Sequence, residues 1–171
     1  LQTNHLSELC ENFQGLISIQ RPVSQSSASS EERVLMLTLT GKDLKRSERE
    51  LAELEGLVRS AGALPVAVVR QKQGPLNSQT IWGIGKLQES ALAVRRSNAS
   101  LVITDRELSP VQVRNLERHL DCPVMDRSEL ILDIFAQRAS SAAGRLQVEL
   151  AQLRYRMPRL RGRGRSLSRQ G

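Results

Sequence analysis

The sequence predicts an α/β fold: a small, mainly parallel sheet of four or five strands flanked by helices, followed by a long heptad helix and a basic Gly/Arg loop. Three observations carry that expectation. Short apolar runs of strand type alternate with stretches of helical period from Arg33 to Asp126; apolar residues spaced by four and three then run from Leu132 to Met157; and the chain ends in Arg, Gly and Ser. Strands separated by helices pair in parallel through crossover connections, which gives a layered sheet.

Val34–Thr40 (VLMLTLT) reads as the first strand, stopped by Gly41, and Asp43–Ala61 as the helix after it, with Leu44, Leu51, Leu54, Leu57 and Val58 at helical spacing. Leu64–Arg70 is the next strand, with Pro65 tolerable at its start. Residues 71–77 form a polar loop around Gly74-Pro75, where a hairpin stays open as an alternative. Thr80–Trp82 leads into Gly83-Ile84-Gly85-Lys86 and a helix to Ser97, and Leu101–Thr104 is a short buried strand. Ser109-Pro110 caps and opens a further helix, proline sitting where its missing N–H costs nothing. Pro123–Asp126 closes the series. Asp126 with Glu129 three residues on resembles a helix cap, opening a helix expected to run unbroken over residues 128–158, about 45 Å long.

The seam of that helix is Leu132, Ala136, Ala139, Ala143, Leu146, Leu150, Leu153 and Met157. A lone helix cannot bury such a stripe, so a partner helix or a second copy is expected. Residues 1–33 read as a leader and Ser-rich linker, 34–127 as the α/β unit, 128–158 as the long helix, and 159–171 as a basic glycine-rich loop.

Composition excludes several classes. No apolar run approaches the roughly 18 residues of a membrane span, and no signal-peptide pattern opens the chain. Cys10 and Cys122 lie far apart without a CxxC or a His pair, so neither a disulfide framework nor a zinc site is expected, and a reducing cytoplasm fits best. The net charge of +7 is sharply localised: all 18 acidic residues lie at or before Glu149, and residues 1–149 are neutral overall. The whole excess belongs to Arg154, Arg156, Arg159, Arg161, Arg163, Arg165 and Arg169. Arginine's planar fork suits phosphate, so this end is expected to meet a polyanion. Pro158, Gly162 and Gly164 should hold those arginines on an extended loop able to follow an irregular RNA surface. The candidate RNA-binding residues are Arg154, Tyr155, Arg156, Arg159, Arg161, Gly162, Arg163, Gly164, Arg165, Ser168 and Arg169.

Gly83, Gly85 and Lys86 are a weaker candidate, for an anion at a helix N-terminus. A phosphate loop would need Ser or Thr where Leu87 stands, and the glycine spacing is wrong, so a tight strand-to-helix turn is the plainer reading. Asp105, Glu107, Asp121 and Asp126 are placed near strand C-terminal ends, each with a capping or turn role available. His5 and His119 have no catalytic companions, and Trp82 reads as core. No catalytic residue and no metal ligand is assigned.

The strings Ile131–Ala139 (ILDIFAQRA) and Gly144–Gly171 (GRLQVELAQLRYRMPRLRGRGRSLSRQG) resemble the central signature of HflX-type ribosome-associated GTPases. Upstream, Gly83–Lys86 with Glu89, Thr104–Glu117 (TDRELSPVQVRNLE) and the VMDRSEL run are similar to that family's N-terminal α/β region in the same order. The resemblance implies an antiparallel pair of long helices joined by a glycine-rich loop that touches ribosomal RNA near the peptidyl transferase centre. It also implies docking on the large ribosomal subunit and a following GTPase domain that acts in rescue or splitting of stalled ribosomes. Carried over by position, the loop candidates are Tyr155, Pro158, Arg159, Gly162, Gly164, Leu167, Ser168, Arg169 and Gly171. No Walker A, DxxG or NKxD string occurs in the 171 residues, so GTP and Mg are expected in the following domain, this region is expected to be inactive alone, and its partners are the large subunit's rRNA, its own downstream helix and the GTPase domain. A coiled-coil adaptor and a stand-alone nucleotide-binding α/β domain are the alternatives.

Overall fold

The structure, a computed structural model, describes residues 31–160; residues 1–30 of the expected leader and the loop beyond Leu160 lie outside the described residues, and Arg33, expected in the linker, opens the first strand. Four parallel strands, β1 (Arg33–Thr40), β2 (Leu64–Lys72), β3 (Leu101–Thr104) and β4 (Val124–Asp126), form one sheet in the order β2-β1-β3-β4. The fold class is as the sequence predicts, with four strands. Helices α1 (Leu44–Ser60), α2 (Ile84–Ser97), α3 (Pro110–Leu120), α4 (Arg127–Arg138) and α5 (Ala142–Leu160) complete it.

β1 is central, and six of its eight residues are buried. Successive side chains of a strand leave on opposite faces. Leu35, Leu37 and Leu39 enter the core made with α2 and α3, through Trp82, Leu87, Val94, Val113 and Leu116. Val34 and Met36 alternate with them, and α1 and α4 pack against each other, with buried Leu54, Val58, Leu130 and Ile134. In the β1–β2 ladder Val34 faces Pro65 while Leu35 faces Ala67, so Val66 is an extra residue. Proline cannot donate to the ladder, and the bulge falls where it would have to.

The helix ends follow local chemistry. Asp43 accepts from the Arg46 N–H, and Ser109 forms a capping box with Gln112 behind Pro110. Gly62, Asn98 and Asp121 end their helices with positive φ. Asp121 is therefore corrected: it caps α3 ahead of β4, at the edge of the sheet opposite to the strand C-terminal ends, whereas Asp105 and Asp126 lie at that edge. The Asn77–Ile81 segment closes on itself through one antiparallel bridge, so the open hairpin alternative is not realised.

The helix expected to run unbroken over residues 128–158 is two helices. The chain leaves α4 at Ala139, which has an extended ψ of 109°, and α5 starts after Ser141. Ser141 Oγ accepts the Gly144 N–H at 3.0 Å, and a Cβ at Gly144 would approach that oxygen to 2.9 Å. Serine competes for backbone donors and favours caps over helix interiors. The Ser140-Ser141 pair followed by Gly144 therefore ends one helix and begins the next, and α5 packs on α4. The seam is split accordingly: α4 buries Leu130, Asp133 and Ile134 rather than Leu132 and Ala136, while Leu146, Leu150 and Met157 of α5 stay exposed. Pro158 lies inside the last turn without stopping the helix, which continues to Leu160.

Candidate functional site

Two helices of one hairpin bring opposite charges together. Asp126, Glu129 and Asp133 lie at positions i, i+3 and i+7 around the start of α4, and Gln152, Arg156 and Arg159 lie at i, i+4 and i+7 on α5, the same spacing in reverse, as an antiparallel partner requires. Residues three and four apart share a helix face, so each helix presents a stripe. Arg159 Nη2 donates to Asp126 Oδ2 at 2.5 Å and its Nη1 to Glu129 Oε2 at 2.5 Å. Arg156 donates from Nε to Glu129 Oε1 at 2.9 Å and from Nη2 to Asp133 Oδ1 at 2.7 Å, and Gln152 Nε2 reaches the same Asp133 oxygen at 2.6 Å.

Asp126 anchors the cluster and is fully buried. Its Oδ1 caps α4 by accepting the Glu129 N–H at 3.0 Å. Its Oδ2 accepts the Leu108 N–H, the Tyr155 hydroxyl and Arg159. The expected capping box is thus half realised, because the Glu129 carboxylate turns to the two arginines. Burial holds the Glu129 and Asp133 carboxyls above their usual range in spite of the arginines beside them. For Arg159, burial pulls downward, but Asp126 and Glu129 outweigh it and its pKa is raised. Tyr155 is pushed up by burial and by its bond to Asp126, and the Arg159 guanidinium lies 4.3 Å from its ring centroid.

These contacts sort the residues singled out by sequence. Tyr155, Arg156 and Arg159 are brought together, but by intramolecular carboxylates that the sequence reading had not paired with them. Arg154 is exposed and makes no hydrogen bond or ion pair among the described residues. Arg161, Gly162, Arg163, Gly164, Arg165, Ser168 and Arg169 lie outside the described residues. Gly83 caps α2 and donates its N–H to Gln71 Oε1 at 3.0 Å, Gly85 is exposed, and Lys86 Nζ pairs with Glu89 at 2.6 Å. Asp105 takes the Leu39 N–H at 3.1 Å, His119 is exposed, and Trp82 is in the core.

Beside the ionic cluster, a cleft of about 490 Å³ opens between the loop from β3 to α3 and the last turns of α5. Glu107, Leu108 and Pro110 line one wall; Arg154, Tyr155 and Pro158 line the other. Arg159 bridges its floor through an Nη2 bond to the Leu108 carbonyl at 3.3 Å. Among the described residues, no group of three or more His, Cys, Asp or Glu stands ready for a metal ion. Leu87, buried after the Gly83–Lys86 turn, stands where a phosphate loop would carry the Ser or Thr hydroxyl that holds Mg.

The described residues form a doubly wound α/β unit carrying a helical hairpin that an ionic cluster locks to the end of β4. The family described as GTP-binding GTPase N-terminal matches residues 48–136, and GTP-binding GTPase Middle Region matches residues 138–171. The GTPase HflX of Lacrimispora saccharolytica is 47% identical over 82% of this chain and 33% of its own length. That of Escherichia coli is 50% identical over 65% of this chain and 26% of its own. A solved structure of SsGBP with GDP superposes with a TM-score of 0.60 at 25% identity, over 77% of this chain and 37% of that one. A GDP complex of a GTP-binding protein from Sulfolobus solfataricus shares the fold, with a TM-score of 0.57. The chain belongs to the HflX GTPase family, of which it represents the N-terminal region, and it spans about a third of the length of the curated relatives it matches.

Proposed function

We propose that this region docks an HflX GTPase on the large ribosomal subunit by gripping ribosomal RNA near the peptidyl transferase centre, so that GTP hydrolysis elsewhere in the protein is coupled to rescue or splitting of stalled ribosomes in the cytoplasm. GTP and Mg belong to the GTPase domain of the longer protein, and the exposed Leu146, Leu150 and Met157 stripe receives a downstream helix of the same chain. The observation that carries the reading is the segregation of charge: the whole net charge of +7 lies on arginines after Glu149. The geometry refines it, because Arg156 and Arg159 are spent on Glu129, Asp133 and Asp126. Arg154, Arg161, Arg163, Arg165 and Arg169 remain for phosphate.

Co-sedimentation with purified large subunits over a salt series tests this, beside a variant carrying Ala at Arg161, Arg163, Arg165 and Arg169. Five phosphate contacts give a slope of log affinity against log salt of about −3.5 to −4.5. Retention of the variant at the parent's affinity, or a slope near about −1, overturns the reading.

A further inference from the structure

We propose that the cleft between the β3–α3 loop and the end of α5 is a nucleotide pocket that takes one unpaired guanine base of an RNA strand, giving base selectivity to a contact whose affinity comes from the arginine tail. The inference rests on the RNA-docking reading and adds a site, a ligand class and a selecting residue to it.

The cleft is open to solvent and combines apolar with polar lining. Its volume of about 490 Å³ lies within the range of ligand pockets, and such pockets combine apolar walls with a few placed polar groups. Here Leu108, Pro110, Pro158 and the Tyr155 ring are the apolar walls. Single-stranded RNA is read by splaying a base out of its strand and laying it against such a surface, while backbone contacts hold register.

Two of the lining residues are free to serve a ligand. Arg154 and Glu107 are exposed, and neither makes a hydrogen bond or ion pair among the described residues. By contrast the third charged wall residue, Arg159, is held by Asp126, Glu129 and the Leu108 carbonyl, so it shapes the pocket instead of contacting phosphate. Arg154 lies on α5 seven residues before Arg161, so the cleft and the arginine-rich end are close neighbours along the chain.

Glu107 decides which base fits. An ionised carboxylate only accepts hydrogen bonds, and it accepts two in parallel. Guanine alone presents two adjacent N–H donors on its pairing edge, from N1 and N2; adenine, cytosine and uracil each offer a single donor group beside acceptors, which a carboxylate repels. The selectivity is chemical and needs no contact to more than one base.

Fluorescence anisotropy with short oligouridylates carrying a single guanosine, adenosine or cytidine tests this on the whole chain. The guanosine oligomer is expected to bind about tenfold tighter than the others. Glu107→Gln should erase that preference, bringing the guanosine oligomer to the same affinity as the adenosine and cytidine ones. Arg154→Ala should weaken all four and reduce the salt slope by about 0.7. Neither side chain bonds within the described fold, so both variants keep it, and circular dichroism confirms that. Binding with no base preference, a preference that survives Glu107→Gln, or equal binding of polyglutamate overturns the pocket while the tail's RNA contact stands. No binding to any oligomer or to the large subunit at low salt removes the docking reading itself.

Discussion

The Tyr155 hydroxyl donates to Asp126 Oδ2 at 2.6 Å, and this bond joins the last turns of α5 to the point where β4 becomes α4. Asp126 is fully buried, so each donor it loses exposes an uncompensated share of its charge. Tyr155→Phe keeps the ring and removes only the donor. The expected cost is about 1–2 kcal/mol in urea denaturation, since Leu108 and Arg159 still serve the same oxygen. An unchanged midpoint would show that the hydroxyl contributes nothing to the docking of α5.

Arg154 and Arg159 lie five residues apart on one helix, carry the same charge, and should behave in opposite ways. Arg159→Ala leaves Asp126 and Glu129 buried with an arginine missing, a change of about 3–5 kcal/mol. Arg154→Ala, at an exposed position, should stay within about 0.5 kcal/mol. Thermal unfolding of the pair separates the structural arginine from the one available to a ligand, and equal effects would dissolve that distinction.

The α/β unit was legible in the sequence because its signals are local. The Val34–Thr40 run, the Ser109-Pro110 start of α3 and the Asp126 cap each depend on neighbours within a few residues, and each is found where the sequence puts it. The hairpin was not read, because the four-and-three spacing of Leu132 to Met157 continues through Ser140-Ser141 without interruption. Periodicity does not register a serine that prefers to cap. Once the chain turns there, the acidic stripe at Asp126, Glu129 and Asp133 and the polar stripe at Gln152, Arg156 and Arg159 face each other. Those mirrored spacings, i, i+3, i+7 on one helix and i, i+4, i+7 on the other, were available in the sequence as a signal for an antiparallel pair. Assigning Tyr155, Arg156 and Arg159 to RNA from charge alone overlooked that a buried carboxylate competes for the same guanidinium.

Trp82 offers a test of the core on the α2 side. Its side chain is fully buried, and its Nε1–H finds no hydrogen-bond partner among the described residues. Trp82→Ala opens a large cavity and should cost about 3–5 kcal/mol. Trp82→Phe removes the unpaired donor along with part of the ring, so its cost should be at least about 1 kcal/mol smaller than that of alanine. Because Trp82 is the only tryptophan, its emission reports directly: a blue-shifted band that moves red only on unfolding is expected. Equal costs for both substitutions would mean that the indole N–H is satisfied after all.

Acid should act on the ionic cluster against the usual sense for salt bridges. Burial raises the pKa of Glu129 and of Asp133, whose ordinary values are 4.5 and 3.8, and the two arginines only partly offset it. Glu32 is raised as well, by burial and by the Asp133 charge. A carboxyl whose folded pKa lies above its unfolded one binds its proton more tightly in the folded state. The stability it contributes is present in full below the ordinary carboxylate range and is lost as pH rises through the raised values. Denaturation midpoints are therefore expected to be higher near about pH 5 than near about pH 7.5. Asp133→Asn removes one of the three groups and should flatten the dependence while keeping an acceptor for Gln152 and Arg156. A midpoint that falls steadily from neutral pH toward pH 5 would instead mean that the arginines, and not burial, govern these carboxyls.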